Sequence, residues 1–276
     1  MKKKRKSKIL NGMQWKTILA LFILAVSGFS YLFFNYGFSL KDMANLSFYQ
    51  NLANPSVRII RIQEGLRKEQ VAEIVGEELN WNKKEKEEFL SAHIALDISD
   101  PEGYFFPKSY MIHKDEDPLS VGDKMIQEFK DATGSIKKRK SSQIINEDTA
   151  VKIASIIQRE AGGKSDMKLI SGIIWNRLFN GMRLQIDATL QYAKGNEKDG
   201  WWQRVDSKDK FIDSPYNTYK YYSLPPSAIS NPGLAALEAA FNPQKTDCLY
   251  YLHDKNQKIH CSKTYEEHRK KIDLYY

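Results

Sequence analysis

Residues 147–163 read EDTAVKIASIIQREAGG, and this stretch predicts the helix around which the rest of the fold is arranged. Ala150, Ile153 and Ile157 recur at spacings of three and four, so they share one face of the helix and are expected to be buried. Glu160 falls on the same face at the C-terminal end, where two glycines end the helix. The pattern therefore brings a carboxyl group to the edge of the core.

The predicted position of Glu160 has a chemical consequence. Partial burial disfavours the charged carboxylate and raises its pKa, and the carbonyl end of the helix acts in the same direction. A carboxylic acid that keeps its proton near neutral pH is what general-acid cleavage of a glycosidic bond requires. On spacing alone, the alternative is an exposed Glu160 paired with Lys164. Gln158 and Arg159 point to other faces of the helix and are expected to be solvated.

Around this helix, predicted helices alternate with short, separated strands, which indicates a mixed α+β fold. VRIIRI at 57–62 predicts a strand followed by two helices, so residues 57–96 are expected to form a small unit. A charged surface loop is predicted at 135–143. The other predicted elements are helices at 118–133, 166–180 and 234–241, a hairpin at 248–262 and a basic helical tail.

The N-terminal segment carries most of the net charge. Residues 1–16 hold seven of the eight net positive charges and no acid, so the body is nearly neutral and no nucleic-acid-binding surface is expected. Residues 17–36 are apolar and long enough to cross a membrane, with the basic tail in the cytoplasm and the body outside. A cleaved signal peptide is the alternative, but no A-x-A-like site follows. Residues 37–56 are predicted to be a polar spacer.

The two cysteines, Cys248 and Cys261, flank the predicted hairpin. A cross-strand disulfide and two packed thiols are both consistent with the sequence. No cluster of His and Cys has the spacing of metal ligands, so neither a metal nor a cofactor is predicted.

A long loop rich in tyrosine is the second candidate for a functional site. Residues 214–233 read SPYNTYKYYSLPPSAISNPG, with too much Pro, Ser and Gly for regular structure. Aromatic faces beside amide and hydroxyl groups suit sugars, which present apolar CH faces and hydroxyl edges. An ordered, packed loop is the alternative, although a loop of this length in a compact domain is usually functional.

Four segments, taken in their order and spacing, carry a resemblance to a known family. They are EGYFFPKSYMI (102–112), ASIIQREA (154–161), NRLFNGMRLQIDATLQYA (176–193) and SPYNTYKYYSLPPSAISNPG (214–233). Together they resemble the endolytic murein transglycosylases, the MltG or YceG-like family. The resemblance covers about residues 57–276, and the N-terminal anchor is consistent with it.

The resemblance implies that Glu160 is the catalytic acid/base, because it matches the second glutamate of the family pattern S-I-I-E-K/R-E. The first glutamate is replaced here by Gln158, and Lys108 stands where relatives often have an acidic residue. The implied organisation is a LysM-like subdomain at 57–98 and a YceG-like catalytic domain at 99–276. Glycan binding by the LysM-like subdomain is a further expectation.

The implied reaction is cleavage of the β-1,4 bond from MurNAc to GlcNAc in peptidoglycan, with formation of a 1,6-anhydroMurNAc end. This is a non-hydrolytic lyase reaction, and the family further implies internal cuts in nascent strands beside the cell-wall synthases of the elongation machinery. Asp187 is a candidate substrate contact or, alternatively, the N-cap of the helix that follows. The candidate substrate contacts are Gln185, Asp187, Tyr216, Asn217, Thr218 and Tyr219.

Two other classes of function are consistent with the same residues. The first is a tethered glycan-binding or scaffolding protein without catalysis, and Gln158 is the one sequence feature that favours it. A true hydrolase requires a second carboxylate near the groove, for which Asp187 and Glu102 are the candidates.

Overall fold

The computed structural model describes residues 12–38, 42, 45–92, 98–139 and 146–276. Most of the predicted N-terminal basic tail, residues 1–16, therefore lies outside the described residues. The helices are α1 (Gly12–Tyr36), α2 (Leu46–Ala53), α3 (Lys68–Leu79), α4 (Lys83–Leu90), α5 (Pro118–Arg139), α6 (Glu147–Glu160), α7 (Met167–Phe179), α8 (Asp187–Lys194), α9 (Leu234–Phe241) and α10 (Tyr265–Tyr275). The strands are β1 (Val57–Arg61), β2 (Ser109–His113), β3 (Tyr250–His253) and β4 (Ile259–Ser262), and Ser207–Phe211 form a short 3-10 helix. The α+β prediction is confirmed.

The N-terminal helix α1 is long and apolar enough to cross a membrane, a test that a signal sequence also passes. Its C-terminal end touches the body, where the Arg61 guanidinium donates to the Asn35 carbonyl at 2.9 Å. The predicted spacer at 37–56 is not wholly irregular, because α2 forms within it. Phe48 of α2 is buried against Phe38, which gives this short helix an apolar contact of its own.

A small unit follows, in which α3 and α4 pack beside an antiparallel pair of strands. β1 pairs with β2 over its whole length, from Val57 opposite His113 to Arg61 opposite Ser109. Asn82 caps α4 by accepting from the backbone N–H of Glu85, as its side chain favours. The core of the unit extends beyond residue 98, since it includes Phe105 and three residues of α5. Its largest fully buried side chains are Ile60, Phe89, Phe105, Ile112, Met125 and Ile126.

Helix α5 differs from its prediction at one end. It continues to Arg139, so the first residues of the stretch predicted as a charged loop are helical, and residues 140–145 lie outside the described part. Thr133 is buried, and its hydroxyl donates to the Phe129 carbonyl at 2.9 Å.

The larger unit is built around α6. From Ala150 to Ile157 all of its residues except Lys152 are buried, so the helix contacts neighbours on most sides and not on one face alone. It packs against α7, α8 and α9. Gly172 of α7 allows the chain after α9 to approach closely, because a Cβ there would lie 2.1 Å from the Gln244 carbonyl oxygen. This arrangement buries α6 and leaves its C-terminal end at the surface of the core.

A β-hairpin and the C-terminal helix complete the fold. β3 and β4 are antiparallel, with Tyr251 opposite Cys261. Cys248 and Cys261 form a disulfide, with Cα atoms 5.8 Å apart. The structure therefore has the cross-strand disulfide, one of the two alternatives that the sequence left open. α10 packs on both strands of the hairpin.

Candidate active site

Glu160 is the last residue of α6, and its half-buried carboxyl group is held by two donors. The Tyr251 hydroxyl donates to Oε2 at 2.8 Å. The backbone N–H of Ala188, in the first turn of α8, donates to Oε1 at 3.4 Å. The carboxyl group therefore lies between the end of one helix, the start of another and the hairpin. It is not paired with Lys164, which was the alternative.

The pKa of Glu160 is raised above its ordinary value, chiefly because burial disfavours the carboxylate. The hydrogen bonds from Tyr251 and from the Ala188 N–H act against this, because both stabilise the charged form. The negative charge of Asp187 raises the pKa further, and His253 lowers it. The net effect raises the pKa, and the two donors remain in place to stabilise the carboxylate that forms when the proton is given up.

A pocket of about 320 Å³ opens beside this carboxyl group. Three residues of the predicted substrate site line it together with Glu160, namely Gln185, Asp187 and Tyr219. The Tyr219 hydroxyl donates to Asp187 Oδ1 at 2.6 Å, so these two side chains are fixed relative to each other. Asp187 begins α8 and follows its N-cap, Ile186, so the N-cap alternative for Asp187 is wrong.

The other three predicted contacts lie behind the pocket, within the tyrosine-rich loop. Asn217 is fully buried, and its Nδ2 donates to the carbonyls of Lys210 and Ile212 at 3.0 and 2.8 Å. Its Oδ1 accepts from the Tyr219 N–H at 2.9 Å, which holds the tyrosine that lines the pocket. The Tyr216 hydroxyl bonds to Ser227 at 2.7 Å. Direct contact of these side chains with a ligand stays a prediction.

Thr218 orders the segment that leads into α8. Its carbonyl accepts from the Gln185 N–H at 3.1 Å, and its hydroxyl accepts from the Ile186 N–H at 3.0 Å. These bonds hold Gln185 at φ 53°, in the left-handed region that side chains other than glycine rarely adopt. The start of α8, whose Ala188 N–H reaches Glu160, is set in place in this way.

The neighbours of Glu160 on α6 are only partly exposed and make contacts of their own, whereas the sequence predicted solvated side chains. Gln158 bridges two loops, accepting from the Gly233 N–H at 3.0 Å and donating to Glu64 at 3.2 Å. The Arg159 guanidinium lies over the Trp202 ring, 3.8 Å from its centroid. Both side chains attach α6 to parts of the chain that are distant in sequence.

Glu102, the other candidate for a second carboxylate, does not line the pocket. It is fully buried between the small and large units, where it accepts from the Lys68 N–H at 3.1 Å. The Tyr192 hydroxyl donates to it at 3.2 Å and the Asn231 amide at 3.4 Å. Burial, and then the nearby Glu69, raise the pKa of Glu102 to about 8.

Seven lining residues were not identified from the sequence. Three of them are Arg177, Leu184 and Ile186, and the other four come from the C-terminal hairpin and helix. These four are Tyr250, Tyr251, Tyr265 and His268. No motif marked them, since alternation along a strand predicts that Tyr250 and Tyr251 point to opposite faces, yet both line the pocket. Arg177 lies 5.1 Å from the Tyr250 ring centroid and donates to the Leu184 carbonyl at 2.6 Å.

Two further observations concern the surroundings of the site. Among the described residues no group of three or more His, Cys, Asp and Glu side chains is arranged to hold a metal ion. A larger cavity, about 700 Å³, lies elsewhere on α7, beside Trp175 and Phe179, and none of the predicted site residues lines it.

The fold and the site define a class of protein: an α+β protein with an N-terminal apolar helix and a protonatable carboxyl group in an aromatic pocket. Residues 35–274 match the YceG-like family, and the chain belongs to it. A crystal structure of a putative yceG-like protein from Listeria monocytogenes has a TM-score of 0.68 to this chain at 31% identity, covering 79% of this chain and 76% of the other.

Two relatives are called endolytic murein transglycosylase. That of Bacillus subtilis (strain 168) is 34% identical over 236 residues, which cover 78% of this chain and 64% of the relative. That of Streptococcus pneumoniae serotype 2 (strain D39) is 29% identical over 245 residues, which cover 79% of this chain and 44% of the relative. The chain thus spans less than two thirds of the length of these relatives.

Proposed function

We propose that this protein is a lytic transglycosylase that cleaves the MurNAc-β-1,4-GlcNAc bond of peptidoglycan and leaves a 1,6-anhydroMurNAc end. The observation that carries the proposal is the carboxyl group of Glu160, half-buried, biased toward its protonated form and placed at a pocket lined by tyrosines. The names of the relatives support the same substrate class.

In the first step Glu160 donates its proton to the glycosidic oxygen as the bond to C1 of MurNAc breaks. The leaving sugar departs as an alcohol, and C1 passes through an oxocarbenium-like state. Glu160 becomes a carboxylate at this moment. The Tyr251 hydroxyl and the Ala188 N–H, already directed at its two oxygens, stabilise the new charge.

In the second step the carboxylate removes the proton from the C6 hydroxyl of the same MurNAc. The C6 oxygen attacks C1 and closes the anhydro ring, which returns Glu160 to its protonated form without consuming water. Glycosidases usually need two carboxylates flanking the bond. One suffices here because the nucleophile belongs to the substrate and has a high effective concentration.

A hydrolase is the second candidate function, and it now depends on Asp187 alone. Asp187 is a carboxylate that lines the pocket with Glu160, whereas Glu102 is buried away from it. Its Oδ1 already accepts a short hydrogen bond from Tyr219, which competes with holding a water molecule. Hydrolysis would give reducing ends that are heavier than anhydro ends by one water.

The test is digestion of purified glycan strands by the full-length protein and by Glu160→Gln, with products read by mass spectrometry. Glu147→Gln, which removes a carboxylate at the other end of α6, is the matched control. Anhydro ends are expected from the wild type and the control and from Glu160→Gln only at a rate lower by about 10²-fold or more. Anhydro ends at the normal rate from Glu160→Gln would exclude it as the acid, and reducing ends would favour hydrolysis.

Three finer points belong to the same proposal. The β-α-α-β order of residues 57–113 supports a LysM-like subdomain, with β2 as its closing strand. The length of α1 supports a single-pass anchor, and the disulfide supports a body on the outer side, where disulfides persist. Association with cell-wall synthases and internal cutting of nascent strands rest on the family resemblance alone and stay predictions.

A further inference from the structure

The C-terminal hairpin and helix form one wall of the pocket beside Glu160. Tyr250 comes from β3, and Tyr265 and His268 come from α10. The His268 ring stacks on Tyr250, with centroids 5.4 Å apart and planes at 23°. Tyr250 and Tyr265 are in contact at 5.9 Å. These contacts fix the rings, so the wall presents a constant surface to whatever enters the pocket.

His268 differs from the neighbouring histidines of the hairpin. His253 lies 3.2 Å from Asp166 Oδ2, and His260 lies 2.8 Å from Asp254 Oδ2, so each has an acidic partner. The Nδ1 atom of His268 is buried and has no hydrogen-bond partner among the described residues. Nδ1 has almost no exposed surface, so a ligand in the pocket does not reach it. Because His268 lines the pocket, the ring nitrogen left to bond such a ligand is Nε2.

The charge state of His268 narrows the kind of ligand. Burial, and then the positive charges of Arg177 and Lys271, lower its pKa below the ordinary value. The imidazole is therefore neutral at neutral pH and offers one donor and one acceptor. A hydroxyl or an acetamido group can bond to Nε2 whether this nitrogen donates or accepts, whereas an anion can only accept. Sugars of the N-acetylated kind carry both groups.

We propose that His268 contacts the substrate, hydrogen-bonding a hydroxyl or acetamido group of an N-acetylated sugar that packs against the wall of Tyr250 and Tyr265. This inference rests on the proposed function and assigns a specificity role in the same pocket to a residue outside the sequence motifs. The stack on Tyr250 positions the imidazole, and Glu160 performs the proton transfers.

The experiment measures the dissociation constant for defined N-acetylated glycan strands, with the full-length protein carrying Glu160→Gln so that strands are not cut. His268→Phe keeps the ring that stacks on Tyr250 and removes both nitrogens, whereas His268→Gln keeps a donor and an acceptor. Arg269→Ala, at an exposed position on the same helix, is the matched control. Melting temperatures of all variants check that the fold is retained.

We expect His268→Phe to weaken binding by about tenfold or more, His268→Gln to weaken it less, and Arg269→Ala to leave it unchanged. The proposal is overturned if His268→Phe binds the strands as tightly as the parent does. It is also overturned if His268→Gln loses affinity while His268→Phe keeps it. Activity with native Glu160 separates the two proposals. Wild-type cleavage with unchanged affinity in the variants refutes the role of His268 alone. A tenfold loss of affinity without any wild-type cleavage refutes the lytic activity alone.

Discussion

Replacing Glu102 with Gln should make the protein more stable at alkaline pH. Glu102 is fully buried at the contact between the small and large units, and its pKa rises from 4.5 to about 8 on folding. Because the folded-state pKa lies above the unfolded one, the folded state binds this proton more tightly. The free energy of unfolding therefore falls as pH rises through the interval between the two values.

The size of this loss of stability follows from the difference between the folded and unfolded pKa values of Glu102. Each pKa unit corresponds to about 1.4 kcal/mol, so the folded protein loses about 3 kcal/mol by pH 7 relative to pH 4.5. The loss reaches about 4 kcal/mol at pH 8 and above. Gln has no proton to lose, and its amide oxygen can still accept from the Lys68 N–H, as the Glu102 carboxyl group does.

The assay is urea unfolding of the full-length protein in detergent micelles at pH 5, 6, 7 and 8. The free energy of unfolding of Glu102→Gln minus that of the wild type should increase by about 1 kcal/mol per pH unit. Other titrating groups cancel in this difference. Glu73→Gln, on an exposed site of α3, is the control and should give a flat difference. A difference for Glu102→Gln that stays constant within about 0.5 kcal/mol from pH 5 to 8 would refute the reasoning.

Two further predictions concern the pocket and the hairpin. Tyr251→Phe removes a hydrogen bond that lowers the pKa of Glu160, so the alkaline limb of the pH–rate profile for anhydro-end release should move to higher pH, while Tyr250→Phe should leave the limb in place. If the alkaline limb of the pH–rate profile does not move in Tyr251→Phe, the Tyr251 hydroxyl does not influence the proton transfer. Cys248→Ala with Cys261→Ala opens a loop with a sequence separation of 13 and should lower the free energy of unfolding by about 3 kcal/mol, measured by urea titration. The same loss should appear when the wild type is reduced, and equal stability of the oxidised and reduced wild type would contradict it.

Much of the local structure could be predicted from periodicity. α6, α7 and α9 lie within a residue of their predicted bounds. Apolar side chains at spacings of three and four can be buried together on one face only when the segment is helical. The strand β1 and the C-terminal hairpin were likewise predicted from β-branched and aromatic runs. The failures were helices in polar stretches, α2 and the end of α5. In α2 the buried contact of Phe48 with Phe38 adds what the polar local pattern does not show.

The residues of the candidate site also fall into two groups, those that the sequence pattern identified and those whose position only the structure shows. Glu160 was identified because it matches the glutamate of a family motif and lies on the apolar face of its helix. Gln185, Asp187 and Tyr219 were identified because they belong to family motifs. Asn217 and Thr218 belong to the same motifs, yet the structure places their polar atoms inside the loop, where they support Tyr219 and the start of α8. Side-chain direction within an irregular loop depends on hydrogen bonds that spacing does not encode.

By itself, the sequence determined the apolar N-terminal helix, the α+β composition and a carboxyl group at the end of a buried helix, because each depends on the order of neighbouring residues. Only the tertiary structure decided what surrounds that carboxyl group. The Tyr251 hydroxyl comes from a strand 91 residues further along the chain and the Ala188 N–H from a helix 28 residues further along. The pKa of Glu160 depends on burial and on charges and donors within a few ångströms, and these distances exist only once the chain has folded.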